Sequence, residues 1–229
     1  MPSSESELAG RVDDVFGRIA DAATAADRDP ADLTTIVVTK FHPDTLVRGL
    51  YAVGIRDVGE NRHQEAQAKA RSTADLEGLR WHFVGQLQSK KARQVRAYAN
   101  AVHSLDRLSL VDALGSDEGE SLDGFVQVNL TDDPARGGVR PADLESLVER
   151  ILGTPGLRLR GVMAVAPLDG EPRAAFARLR ELSDRVRALD SGADGISAGM
   201  SHDFADAIAE GATHLRIGTA ITGNRPDAR

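Results

Sequence analysis

Cysteine is absent from the 229-residue chain, which excludes a disulfide framework, a thiolate nucleophile, a zinc–cysteine site and an iron–sulfur cluster. No apolar run approaches the roughly 18 residues of a membrane span. The N-terminal MPSSESELAG has neither the basic nor the apolar region of a signal peptide, so the expected location is the cytoplasm. An excess of positive charge is also missing. With 28 Lys+Arg against 35 Asp+Glu the net charge is -7, a sign that repels nucleic acid and anionic membrane, and neither is an expected partner. The six histidines show no His-x-x-x-His spacing, so no metal site is expected. What is present is ordinary for a globular protein: 41% hydrophobic residues and 22 glycines exclude a disordered or fibrous chain. At about 150 residues per domain, the length fits one large domain or two small ones.

Order along the chain decides between these. Residues Ser6 to Ala26 place Leu8, Val12, Val15, Phe16, Ile19 and Ala23 at helical spacing, predicting an amphipathic helix. Short apolar or β-branched runs then recur at Thr34 to Lys40, Ile55 to Glu60, Arg80 to Gly85, Ala101 to Asp106, Gly124 to Leu130, Leu157 to Val165, Gly195 to Gly199 and His214 to Ala220. Helical patterns separate most of them, as at Asp44 to Val53, Arg62 to Arg71, Pro141 to Leu152 and Glu171 to Leu189. Such alternation calls for a parallel sheet with covering helices, and eight repeats suit a closed barrel better than an open sheet. The expected fold is α/β: a single (β/α)8 TIM-type barrel with an extra N-terminal helix, residues 1–229 forming one domain.

A barrel of this kind builds its site at the C-terminal ends of the strands. Period two puts Lys40 on the face of Ile36 and Val38, the barrel-filling face. Of the four lysines, Lys69, Lys90 and Lys91 sit in solvent-compatible helical patterns, whereas Lys40 closes a buried strand. Desolvation there would favour a neutral, nucleophilic amine of the kind that forms Schiff bases. A lysine snorkelling from the barrel mouth fits the same position. Ser201 is expected to cap the helix after strand seven, and Gly218 and Thr219 follow strand eight, with Arg216 on the face of Gly218. Loops after strands seven and eight often make a phosphate site, although an ordinary cap and turn glycine read the same way. Asn61, His82, Met163 and Ser197 also fall near strand ends, where capping, core packing and backbone hydrogen bonding are the simpler roles. An imine-forming lysine, a phosphate site and an arginine together suggest pyridoxal 5'-phosphate bound through Lys40.

Longer motifs carry a resemblance. These are Val37-Val38-Thr39-Lys40 with Pro43, Gly59-Glu60-Asn61, Trp81 to Lys90, Leu159-Arg160-Gly161-Val162-Met163, Gly199-Met200-Ser201 with Asp203, and Leu215 to Ile221. In that order they resemble the pyridoxal phosphate homeostasis protein family, itself similar to the barrel domain of alanine racemase, over nearly the whole chain. The resemblance implies a Lys40 aldimine, phosphate binding by Ser201, Gly218 and Thr219, and Arg216 facing the pyridine nitrogen. Asn61, His82, Met163, Ser197 and Met200 match positions that line the cofactor. It further implies a role in vitamin B6 and amino-acid balance without established turnover, pyridoxal phosphate-dependent apoenzymes as candidate partners, and a monomer or weak dimer. Three departures stand out: Ala198 for a methionine, Thr222 for a phenylalanine, and Ala135-Arg136-Gly137-Gly138 where a loop lysine is usual.

Racemisation by two bases needs a second group opposite the lysine, which alanine racemase takes, as a tyrosine, from a domain this chain lacks. Here Tyr51 and Tyr98 lie in predicted helices. The leading expectation is therefore a reversible cofactor carrier or regulator, with no catalytic residues. The alternatives are a racemase-like enzyme, a Schiff-base aldolase acting on a phosphorylated carbonyl, and an interaction module with a vestigial site.

Overall fold

The computed structural model describes residues 5–131, 133–167 and 169–224; residues 1–4 of the N-terminal decapeptide and residue 132 of the stretch after strand five lie outside them. Eight parallel strands close in sequential order: β1 (Thr34–Val38), β2 (Asp57–Glu60), β3 (Arg80–Phe83), β4 (Ala101–Leu105), β5 (Leu122–Gln127), β6 (Leu157–Met163), β7 (Gly195–Ser197) and β8 (His214–Ile217). The ring is completed by β8 against β1, with Ile36 opposite Arg216 and Val37 opposite Ile217. This is the expected TIM-type (β/α)8 barrel.

The strands are shorter than their apolar runs. Each stops where the chain must turn over the barrel rim: β1 ends at Val38, and Phe41 takes a positive φ of 68° two residues after Thr39, a conformation that ends strand pairing. The helices are α1 (Glu5–Ala25), α2 (Asp44–Ala52), α3 (His63–Ser72), α4 (Ala92–Arg96), α5 (Leu108–Leu114), α6 (Leu144–Leu152), α7 (Pro172–Leu189), α8 (Phe204–Ala209) and α9 (Thr219–Thr222). In α1, Leu8, Val12, Val15, Ile19 and Ala23 form the buried stripe, each large aliphatic contributing roughly 1.5–3 kcal/mol by burial. Phe16, expected in that stripe, is exposed; it lies one helical step of about 100° beyond Val15. The helix closes the β8–β1 seam, where Arg11 Nε donates to the Ile221 carbonyl at 2.7 Å.

Two cores result from the strand alternation. Val37, Val58, Trp81, Phe83, Val102, Val126, Val162, Leu215 and Ile217 face the helices in one apolar cluster. The opposite face fills the barrel and is unusually polar: besides Ile36, Val38, Phe125 and Met163 it holds Asp57, His82, His103, Ser197 and Arg216, all buried. Two strand irregularities support this arrangement. One extra residue between Val102 and Leu105 lets both pack outward around His103, and another places Gly161 opposite Phe125. Gly161 has φ 141°, and a Cβ there would lie 1.8 Å from the Gly195 carbonyl oxygen, so only glycine fits.

Candidate functional site

Lys40 lies beyond the end of β1 and is exposed, which corrects the expectation of a lysine closing a buried strand. Its backbone is nevertheless held on both sides. The Phe41 amide donates to Glu65 Oε2 at 3.2 Å, and the Thr39 carbonyl accepts from Lys69 Nζ at 2.9 Å and from the His42 amide at 3.1 Å. Lys69 is a second correction: instead of standing in solvent it is buried and ion-paired with Glu60, which also accepts from Thr39 Oγ1 at 2.7 Å. Burial raises the Glu60 pKa, while the bonds from Lys69 and Thr39 oppose that rise. The buried pair acts as a bracket that fixes the turn carrying Lys40.

Asn61 follows β2, and its buried Oδ1 has no partner among the described residues. Its backbone is pressed against Gly85 after β3, where a Cβ would come within 2.2 Å of the Asn61 carbonyl oxygen. Beyond β7, Gly199 accepts from the Arg216 amide at 3.0 Å. Ser201 does not cap α8; that place belongs to Asp203, whose Oδ1 accepts from the Met200 amide at 2.6 Å. Among the described residues, the amides of Ser201, Gly218 and Thr219 donate to no protein acceptor. Gly218 lies beside Val38, 4.0 Å from where its Cβ would be. These donors therefore line the same rim as the Lys40 turn. Met200 is half exposed there, and Met163 is fully buried at the end of β6.

Arg216 lies beneath the rim, 5% exposed. Its guanidinium donates to Ser197 Oγ at 2.8 Å and to the Ala164 carbonyl at 2.9 Å. Burial, opposed by the negative charge of Asp203, pulls its pKa down to about 10, so it remains a cation at neutral pH. His82 points into the barrel but reaches away from the rim, to Asp57 at 2.8 Å. His103 and Asp57 were not singled out from the sequence, although both have inward parity: Asp57 shares a face with Gly59 and His103 with Ala101. Of the departures, Ala198 and Thr222 are both buried. The Tyr51 hydroxyl donates to the Glu77 carbonyl. Tyr98, just past α4 rather than within a helix, sits 3.4 Å from His63 Nδ1. Among the described residues no group of three or more metal-ligating side chains occurs.

Free amides aimed at one rim bind an anion, a buried guanidinium faces a ring acceptor or second anion, and an exposed amine can add to a carbonyl. Together they give this rim the chemistry to hold a phosphorylated carbonyl compound. The family model described as the N-terminal domain of alanine racemase matches residues 35–226. A pyridoxal phosphate homeostasis protein of Pseudomonas aeruginosa is 43% identical over 226 residues, 96% of either chain. Among solved structures, PipY of Synechococcus elongatus, with PLP bound, is 36% identical with a TM-score of 0.78, covering 90% of this chain and all of its own. A crystal structure of a Bifidobacterium adolescentis protein reaches a TM-score of 0.87 at 28% identity, covering 95% of each chain. The chain belongs to the pyridoxal phosphate homeostasis protein family.

Proposed function

We propose that the protein binds pyridoxal 5'-phosphate reversibly through Lys40 and serves the cell's balance of that cofactor rather than turning over a substrate. The observation that carries the reading is the convergence at one end of the barrel of Lys40, the amides of Ser201, Gly218 and Thr219, which meet no acceptor among the described residues, and the buried guanidinium of Arg216. The donor set fits the group. Three amides suit a phosphate, and the buried, unpartnered Oδ1 of Asn61 offers an acceptor to a hydroxyl or protonated imine.

When bound, pyridoxal phosphate would supply an aldehyde open to a primary amine. Lys40 is the amine placed to meet it. Arg216 would hold a positive charge beside the ring nitrogen, and a fixed cation there would disfavour protonation of that nitrogen and weaken the ring as an electron sink. Ser197 holds Arg216 from behind, and Met163 and Met200 add apolar surface. Membership of a family whose relatives carry the homeostasis name supports the physiological role, and a PLP-bound relative supports the ligand.

Exposure of Lys40 favours a carrier, because water reaches the bond and can release the cofactor. Both tyrosine hydroxyls are engaged elsewhere, so neither stands as the second base of a racemase. We place the protein in the cytoplasm, where apoenzymes needing the cofactor are its natural recipients. Among the described residues no helix is long and apolar enough to cross a membrane.

The test is an absorbance titration with pyridoxal phosphate beside Lys40→Ala. A visible band that appears only with Lys40 is expected, and no band in the unaltered protein would overturn the binding site. Amino-acid racemisation at ordinary enzyme rates, above about one turnover per second, would overturn the carrier role.

A further inference from the structure

A hydrogen-bonded column runs through the barrel interior from one mouth to the other. Arg216 Nη1 lies 2.8 Å from Ser197 Oγ, Ser197 Oγ 2.8 Å from His103 Nδ1, His103 Nε2 3.0 Å from His82 Nδ1, and His82 Nε2 2.8 Å from Asp57 Oδ1. Asp57 in turn is gripped at the N-terminal mouth by Arg80, through bonds of 2.8 and 2.6 Å. The members come from β2, β3, β4, β7 and β8, and every one is buried.

Chemistry fixes the direction of each link. Arginine can only donate, so Ser197 Oγ accepts from it, and because the Asp57 carboxylate at the far end can only accept, two neutral histidines leave His103 Nδ1 to accept the Ser197 proton. His103 then carries its proton on Nε2 and gives that bond to His82 Nδ1, and His82 gives its Nε2 proton to Asp57, a carboxylate that can only accept. Donor-only and acceptor-only ends thus select one tautomer at both histidines.

The geometry points to Asp57, His82, His103 and Ser197 as positioning residues that couple the N-terminal mouth of the barrel to the orientation and field of Arg216 at the cofactor ring. None of the four needs to touch the cofactor for this role. His103 is kept neutral, chiefly by burial and then by the positive charge of its neighbours, and burial outweighed by the bonds from His82 and Arg80 leaves Asp57 ionised, its pKa down to about 2. Other charged or titratable groups face the column from β5, β6, β8 and the loop after β7. They are Asp123, Arg160, His214 and Asp203, joined at the N-terminal mouth by Arg28, Asp32 and Asp194, which line the same cavity as Asp57 and His82, and all are retained in the test.

The part of the inference that concerns the cofactor rests on the function proposed above; the direction of the column does not. The first measurement therefore uses the protein without ligand. Nitrogen-15 NMR of labelled histidine at pH 8 is expected to show His82 and His103 as neutral Nε2–H tautomers. A proton on Nδ1 of His103 would overturn the assignment. The second measurement follows the visible absorbance of the pyridoxal phosphate complex against pH. Asp57→Asn, which removes the obligate acceptor far from the rim, is expected to move the midpoint by about half a unit or more, with Asp57→Glu restoring it in part. An unmoved midpoint in folded Asp57→Asn protein would refute the coupling. Should that variant not fold, Ser197→Ala, which cuts the column next to Arg216, is judged by the same shift. Absence of any visible band would refute the function proposed above and leave the tautomer result standing.

Discussion

At the N-terminal mouth of the barrel charged groups meet each other: Arg80 holds Asp57 through two bonds, Arg158 meets Asp123 at 2.5 Å, and Arg28 is used up on the carbonyls of Ile208 and Ala212. At the C-terminal mouth the amides of Ser201, Gly218 and Thr219 and the Oδ1 of Asn61 have no partner among the described residues. Unmade hydrogen bonds cost stability unless water or a ligand takes them. The contrast separates the end that stabilises the barrel from the end that is built to receive something. The polar column links the two, so changes at the paired end should act on stability first and on the open end only through Arg216.

The strongest way to break this division is Gly161→Ala. The added Cβ would strike the Gly195 carbonyl and force a side chain into a φ of 141°, so a loss of at least about 3 kcal/mol is expected, read as a fall in the urea midpoint. Acid should come next. Burial first, then the charge of its neighbours, brings the His214 pKa down to about 4 from 6.5. Between these values the unfolded chain binds the proton and the folded one does not, so stability is full above pH 6.5 and declines as pH falls toward 4, by up to about 3 kcal/mol. His214→Gln should flatten that arm of the stability curve.

A smaller loss lies further down the pH scale. Asp57 has its pKa at about 2 against 3.8, so its contribution is present above pH 4 and is lost as pH falls through 2; screening on the Arg80 side leaves about 1 kcal/mol. Asp57→Asn should remove this arm. The smallest effect sharpens the comparison from outside both mouths: Arg48 pairs with Asp75 on the exposed surface, and Arg48→Ala should leave the urea midpoint unchanged within error and the visible band intact.

The barrel was legible because strand and helix periods alternate along the whole chain, and because Val37, Val58 and Leu215 keep their outward parity once the ring closes. Lys69 was misplaced since nothing within a polar helix announces that it faces Glu60; that pairing exists only after α3 packs on the sheet. Lys40 reads as buried in the sequence because the apolar run leads directly into it, whereas the turn at Phe41 ends the strand at Val38. Asp57 and His103 passed unnoticed as isolated residues. Their meaning comes from the bonds to His82 and Ser197, which join four strands and leave no local pattern. Arg216, in β8, and Gly218 and Thr219, just past it, can be picked out together because they fall within one short stretch of sequence.

Which lysine takes the cofactor tests the account most directly. Pyridoxal phosphate is added to the protein, the product is fixed with borohydride, and the labelled peptide is mapped. The open-rim account predicts label on Lys40 alone and none in Lys40→Ala. Label on the buried Lys69, or spread over Lys90 and Lys91, would contradict it.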